Sequence, residues 1–219
     1  MNSPVLQLLV LAGIAIFLIL RLRSVLGTRE GFEKPRVEMP KPAQRSGPEL
    51  EVITGSPDPD VADYVDPDGE IGKALTKMKA ADRTFVVRDF LRGARGAYEM
   101  ILTGFEKGDM AEIKPFLSDD VYEAFASVVE DRAAKGLTIT FNFIGISEMT
   151  IVGAEFDEAT KEAEVSVKFL SESTSMVHDR AGDLIEGSET DYKKQRDIWT
   201  FARTMGTGDP NWTLVATGE

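Results

Sequence analysis

The chain divides into three parts by the pattern of its apolar and polar residues. The first part is an apolar run from Val5 to Leu20, in which Gln7 is the one polar side chain. The second part is rich in proline and has no sustained periodicity, and the third changes from helical spacing in its first half to strand spacing in its second. The pattern predicts a transmembrane anchor at 1–26, a disordered linker at 27–69 and one folded domain at 70–219.

The apolar run approaches the length that a membrane-spanning helix needs, about 20 residues. Two arginines follow it and can reach the interface while their stems stay in apolar surroundings. A cleaved signal peptide is the alternative, but the run is preceded by no charged side chain and followed by no small-residue cleavage pattern. We therefore predict a retained anchor, represented by Val5, Leu9, Ile14, Phe17, Leu20, Arg21 and Arg23.

The basic residues near the run also predict its orientation. Arg21, Arg23 and Arg29 follow the run, and no basic side chain precedes it. Because basic residues flanking a span favour the cytoplasmic side, we expect the C-terminal domain to face the cytoplasm.

In the first half of the domain, apolar residues recur at helical spacing. Ile71, Leu75 and Met78 predict a short amphipathic helix, and the segment 85–108 predicts a long one. Gly108 is a suitable C-terminal cap, and Ser118 is a suitable N-cap for a later helix that ends at Gly136. A short helical piece interrupted near Pro115 connects the two.

In the second half of the domain, apolar residues recur at every second position, which is the spacing of a β-strand. We predict strands at 137–143, 161–170, 191–204 and 212–216, where β-branched and aromatic residues are enriched. Connections this short favour antiparallel pairing. The expected fold class is α+β, with the N-terminal helices packed on one face of a curved antiparallel sheet.

Composition and residue spacing exclude or disfavour several classes of binding site and catalytic site. The net charge of −12 disfavours generic binding of nucleic acid. The chain has no cysteine and a single histidine, His178, which excludes thiolate chemistry and multi-histidine metal sites. Asp58, Asp60 and Asp63 miss the spacing of an EF-hand loop. We predict no catalytic residue, no cofactor, no metal and a protein that is not an enzyme.

Two sets of residues are candidates for binding. Arg88, Arg92 and Arg95, with Arg83 as an extension, lie at spacings that line one helix face and suit an anionic lipid or an acidic partner. The alternative is an ordinary solvated face. The second set consists of aromatic residues that could line an apolar pocket, and the simpler interpretation is that they form the core. It comprises Phe90, Tyr98, Phe105, Phe125, Phe141, Trp199 and Phe201.

Three stretches of the domain, and one stretch beside the predicted anchor, resemble segments of a known protein family. FLRGARGAYEMILTGFEKGDMAEIKPFLSDDVYEAF, with the later DIWTFAR and DPNWTLVAT, resembles the C-terminal domain of the mitochondrial import protein Tim44. RLRSVLGTREG, after the apolar run, resembles the alphaproteobacterial relatives called TimA. The resemblance implies a cone-shaped α+β domain related to the nuclear transport factor 2 architecture. It also implies association with an inner membrane, where the mitochondrial member tethers a chaperone to a translocase and contacts acidic lipids.

The chaperone-binding region of the mitochondrial member has no counterpart in this sequence, so chaperone recruitment is not carried over. We expect a single-pass protein of the bacterial inner membrane that acts as an adaptor or scaffold in protein handling or translocation. Its expected partners are an unidentified protein and membrane lipids, with no nucleic acid. Binding of a lipid or other apolar ligand in a pocket between helices and sheet is the alternative function. An enzyme on the same scaffold is a third hypothesis.

Overall fold

The computed structural model describes residues 58–218. The predicted anchor, with all seven of its representative residues, lies outside the described residues, as does the predicted linker up to residue 57. Within 58–218, no helix is both long enough and apolar enough to cross a bilayer.

Within residues 58–218, five α-helices precede the sheet. They are α1 (Pro59–Ala62), α2 (Glu70–Ala81), α3 (Val87–Lys107), α4 (Met110–Ile113) and α5 (Asp119–Ala134). A 3₁₀ turn at Lys114–Phe116 follows α4, where the ring of Pro115 disfavours continuation of the α-helix. The predicted caps are confirmed: Gly108 adopts a left-handed conformation after α3, and the Ser118 hydroxyl accepts from the Val121 amide at 3.4 Å.

In this described part of the chain, four strands form one sheet in the order β1, β2, β3, β4, and each neighbouring pair is antiparallel. Their bounds are β1 (Thr138–Phe156), β2 (Glu162–His178), β3 (Leu184–Thr204) and β4 (Thr213–Gly218). The predicted fold class, α+β with an antiparallel sheet, is confirmed.

The first three strands are much longer than their sequence pattern predicted. β1 continues for 13 residues beyond the predicted end at 143, through Gly145 and Gly153, and β2 continues through Ser171–Ser175. The added part of β2 lacks the β-branched and aromatic enrichment that marks a strand, and the added part of β1 is interrupted by its two glycines. They are strands because β2 pairs with β1 and β3 along its length, so cross-strand hydrogen bonds override weak local preference.

The folded part also begins earlier than the predicted boundary at residue 70. Asp58 caps α1 by accepting a hydrogen bond from the Asp60 amide, and Pro59 occupies the first turn. Val61 is fully buried. Pro59 starts this helix rather than breaking it, because proline suits the first helical positions.

The core lies between the helices and the inner face of the sheet. Val165, Val167 and Phe169 alternate inward along β2 and are fully buried, as the pattern predicted. α2 and α3 both contact β1, and the Tyr98 ring of α3 stacks on Phe169 with centroids 4.3 Å apart.

Candidate partner-binding face

The face of α3 directed away from the core carries three exposed arginines. The buried stripe of α3 includes Phe90, Ala94 and Tyr98, so the intervening positions face solvent. The Arg88 and Arg92 side chains are 75% and 78% exposed, and Arg95 is exposed as well. We call Arg88, Arg92 and Arg95 the arginine face. Arg83, the fourth predicted residue, is also exposed but lies in the turn between α2 and α3.

The arginine face is weakly neutralised by its surroundings. Arg92 Nη2 donates to Asp89 Oδ1 at 3.1 Å, and Arg88 Nε lies 4.0 Å from the same oxygen. No ion pair to Arg95 is present within residues 58–218. Exposed pairs of this kind contribute about 0–1 kcal/mol. The guanidinium groups are therefore available to an anion that replaces Asp89 or water.

Two glycines without side chains, Gly93 and Gly96, lie beside the row of arginines on the surface of α3. A Cβ atom placed on Gly93 or Gly96 would meet nothing within 4 Å. Neither glycine has a positive φ, so the fold does not require glycine at either position. A partner can therefore approach the helix backbone here more closely than it can over a larger side chain.

The segment 70–99, which carries this face, is basic although the whole chain is acidic. Between residues 70 and 99 there are 7 basic and 4 acidic residues, a net charge of +3, whereas the full chain carries −12. The basic residues are Lys73, Lys77, Lys79, Arg83, Arg88, Arg92 and Arg95. The charge asymmetry favours anionic partners over cationic ones at this region.

The N-terminus of α3 is held by a side chain from α1. Asp60 accepts hydrogen bonds from the Val87 amide at 2.8 Å and the Arg88 amide at 3.2 Å. Lys79 Nζ donates to Asp60 at 2.6 Å and lies 2.8 Å from Asp58 Oδ2. Partial burial raises the pKa of Asp60, but the hydrogen bonds from Lys79 and the two amides outweigh it and lower the pKa overall. The negative carboxylate thus complements the positive end of the helix dipole.

The middle of α3 is fixed to the sheet by a buried polar cluster. The Tyr98 hydroxyl donates to Asp197 Oδ2 at 2.5 Å and lies 2.8 Å from Ser171 Oγ. Gln195 Nε2 donates to the other oxygen of Asp197 at 3.0 Å. Burial and the hydrogen bond to Asp197 raise the pKa of Tyr98, so the hydroxyl stays protonated as a donor. This cluster sets the rotation of α3 and hence the direction of the arginine face.

A second buried contact links the helix turn to the sheet. The Arg203 guanidinium forms an ion pair with Asp82, and both side chains are less than a tenth exposed. Asp82 also accepts from the Thr84 hydroxyl at 2.6 Å and the Gly206 amide at 3.3 Å. The hydrogen bond from Thr84 is the leading cause that lowers the pKa of Asp82, against the opposing effect of burial. The pair therefore remains charged near neutral pH.

The aromatic residues predicted for an apolar pocket lie mainly in the interior. Phe90, Tyr98, Phe141, Trp199 and Phe201 are buried. Tyr98 and Trp199 have ring centroids 4.6 Å apart, and Phe90 and Phe201 are 6.1 Å apart. Four of these rings pack against one another, and Phe141 belongs to the same core cluster. The structure therefore places all five as core residues, and the pocket stays a prediction.

The other two aromatics of that set, Phe105 and Phe125, are half-buried. Their centroids lie 4.5 Å apart at the seam between α3 and α5. Beside them, Arg132 stacks over Phe105 at 4.7 Å and its Nη1 lies 3.4 Å from Glu106 Oε2. Burial raises the pKa of Glu106 against the opposing effect of Arg132. Among the seven predicted pocket residues, only the two at this seam are partly exposed to solvent.

Sequence reasoning missed Asp60, the Tyr98 cluster and the Asp82–Arg203 pair as positioning groups. For Asp60 a signal existed, because Asp58 followed by Pro59 is typical of a helix start. For the other groups no local signal existed. Asp82 and Arg203 are 121 residues apart and Tyr98 and Asp197 are 99 apart, so only the topology brings them together.

The fold and this face define a class of protein: an α+β domain whose long helix rests on an antiparallel sheet and presents a basic outer surface. The model of the Tim44-like domain family matches residues 71–219, and the chain belongs to that family. The resemblance drawn from the sequence is thereby confirmed.

Two individual proteins show more distant likeness. Large ribosomal subunit protein mL45 of Drosophila melanogaster is 28% identical over 146 residues, which cover 64% of this chain and 39% of that protein. The chain therefore spans about two fifths of the length of that relative. The crystal structure of the intermembrane space region of chloroplast protein ARC6 superposes with a TM-score of 0.40 at 10% identity, covering 58% of this chain and 94% of that one.

Proposed function

We propose that this protein is a non-enzymatic, membrane-anchored adaptor that binds an acidic protein partner through the arginine face of α3. The observation that carries the proposal is a row of exposed arginines on the outer side of a firmly positioned helix, within a chain of net charge −12. Membership of the Tim44-like family supports a role in handling or translocating proteins at a membrane.

The proposal includes a location. The apolar run at the start of the sequence anchors the chain by a single span in the bacterial inner membrane, and the arginines after it keep the folded domain on the cytoplasmic side. Anionic lipid headgroups near the domain then contribute to orienting the arginine face. The name of the relative mL45 adds the ribosome to the classes of partner that an experiment should be able to detect.

Site-specific crosslinking in native membranes tests the proposal. Because the chain has no cysteine, Gly96→Cys introduces a single reactive thiol one turn after Arg92 and next to Arg95, in open space. A photoreactive maleimide attached there should crosslink a specific protein. Reversal of the three arginines to glutamate should abolish the crosslink, because each reversal replaces attraction to the partner by repulsion.

A matched control separates the site from total charge. Reversal of Lys107, Lys114 and Lys135, which are also exposed, changes the net charge equally and should leave the crosslink intact. Crosslinks to lipid alone, or a protein crosslink that survives arginine reversal, would overturn the adaptor function at this face.

A second candidate function, binding of an apolar ligand, has the α3–α5 seam as its specific support. Phe105 and Phe125 meet there while half-exposed, and Val121 is the one residue of α5 that is fully packed away. Native mass spectrometry of the full chain released from detergent should then show a co-purifying acyl species that Phe125→Ser removes. A spectrum with no bound species counts against this candidate.

A further inference from the structure

The sheet has an open edge beside the end of β4. β4 pairs with β3 from Ile198 to Ala202, so the preceding part of β3 has no strand on that side within the described residues. Lys193–Arg196 pairs with β2 on its other side without irregularity, and all four residues are exposed. Because backbone groups in an antiparallel strand alternate between its two sides, about half of the amides and carbonyls of this stretch face away from β2.

The two edges of the sheet differ in how they are protected. Along β1, the register shifts three times between Phe143 and Gly153, and such bulges interrupt a regular edge. In β3 the irregularity lies before the open edge: Ser188 pairs opposite Ser175 and Lys193 opposite Ser173, so the four residues 189–192 loop out. Lys193–Arg196 is therefore a short regular strand bounded by a bulge and by β4.

The charge of this edge selects what can pair with it. Three of the four residues, Lys193, Lys194 and Arg196, are basic. The nearest acidic partners are loose: Lys193 lies 3.6 Å from Glu186 and Lys194 lies 3.5 Å from Glu172, all on exposed or half-exposed side chains. Lysines at an edge discourage pairing between like edges. A second copy of this strand would place cations opposite cations, which is destabilising.

We propose that the open edge, Lys193–Arg196, binds an extended acidic segment of a partner protein by strand addition. The added strand runs antiparallel to β3 and continues the sheet where β4 ends. Main-chain hydrogen bonds supply the attachment, and carboxylates of the segment lie opposite Lys194 and Arg196, which share one face of the sheet. This site is on the sheet edge and uses none of the arginine face, so it does not depend on the function proposed above.

Peptide binding to the full chain in detergent tests the charge requirement. The probe is a fluorescein-labelled ten-residue peptide that alternates glutamate with valine and threonine, and its lysine counterpart is the reference. The acidic peptide should bind, and K193E/K194E/R196E should weaken binding at least tenfold. The matched triple R88E/R92E/R95E should leave binding unchanged. Equal binding of both peptides, or equal weakening by both triples, overturns the proposal.

Two proline substitutions test whether backbone pairing is involved. Since adjacent amides of a strand point to opposite sides, one of Lys194→Pro and Gln195→Pro removes an amide that bonds β2 and lowers the melting temperature. The other removes an amide of the open edge, keeps the melting temperature and should abolish peptide binding. If the stable proline variant binds the peptide as tightly as the wild type, the edge recognises charge alone and the proposal fails.

Discussion

Substitution of Arg203 by leucine gives the sharpest test of how the helices are held on the sheet. Arg203 forms the buried ion pair with Asp82, and its guanidinium carbon lies 5.8 Å from the ring centroid of Trp212. Leucine keeps part of the packing volume but leaves the Asp82 carboxylate buried without its cation. Breaking one side of a buried pair costs about 3–5 kcal/mol, so we expect the free energy of unfolding at pH 7 to fall by that amount.

The substitution should also change how stability depends on pH. In the wild type the pKa of Asp82 is lowered, mainly by the Thr84 hydroxyl against the effect of burial, with help from Arg203. A carboxyl with a lowered pKa contributes stability above its unfolded-state pKa, about 3.9, and loses it as the pH falls through the folded-state value. Without Arg203 the pKa of Asp82 rises. The cost of the substitution should therefore be largest near neutral pH and shrink below about pH 5.

Urea unfolding of the full chain in mild detergent, followed by tryptophan fluorescence, measures both effects. The double variant Asp82→Asn/Arg203→Leu is the control, because it removes the buried charge together with its partner. It should be more stable at pH 7 than Arg203→Leu alone. A loss below about 1 kcal/mol in the single variant, or a loss that stays constant between pH 7 and pH 4, would refute the reasoning.

Three further substitutions test the helices and the buried polar cluster. Gly93→Ala should raise the free energy of unfolding by about 0.5–1 kcal/mol, since its Cβ enters open space in a helix interior. Gly72→Ala should lower it by about 1–3 kcal/mol, because its Cβ would lie 2.3 Å from the Asp66 carbonyl oxygen. Thermal melts compare the pair directly, and equal shifts for both would contradict the geometry. Tyr98→Phe removes the donor to Asp197 and should cost about 1–3 kcal/mol in urea unfolding, whereas an unchanged midpoint would show that the hydrogen bond contributes little.

The sequence predicted the helices more accurately than the strands. The apolar stripe of α3 and the caps at Gly108 and Ser118 act within a few residues of one another, so they are visible locally. The long strand β2 is held by neighbours on both sides, and its serine-rich half carries little preference of its own. In the second half the pattern therefore predicted one part of each strand and missed the full extent of the first three.

The candidate site was predictable in part for the same reason. The spacing of Arg88, Arg92 and Arg95 places them on one helix face without any knowledge of the fold. What holds that face in position comes from distant parts of the chain, namely Asp60 from α1 and Asp197 from β3. Contacts between residues so far apart depend on topology, which spacing alone does not reveal.

The Asp60 contact has a mechanical consequence. Asp60 lies in α1 and bonds the first amides of α3. A force applied to the start of α1 therefore reaches α3 before it reaches the sheet, and the contacts of Lys79 with Asp58 and Asp60 resist it first. Such a force and the occupancy of the outer surface of α3 act on one helix, so a molecule docked there can register tension applied through α1.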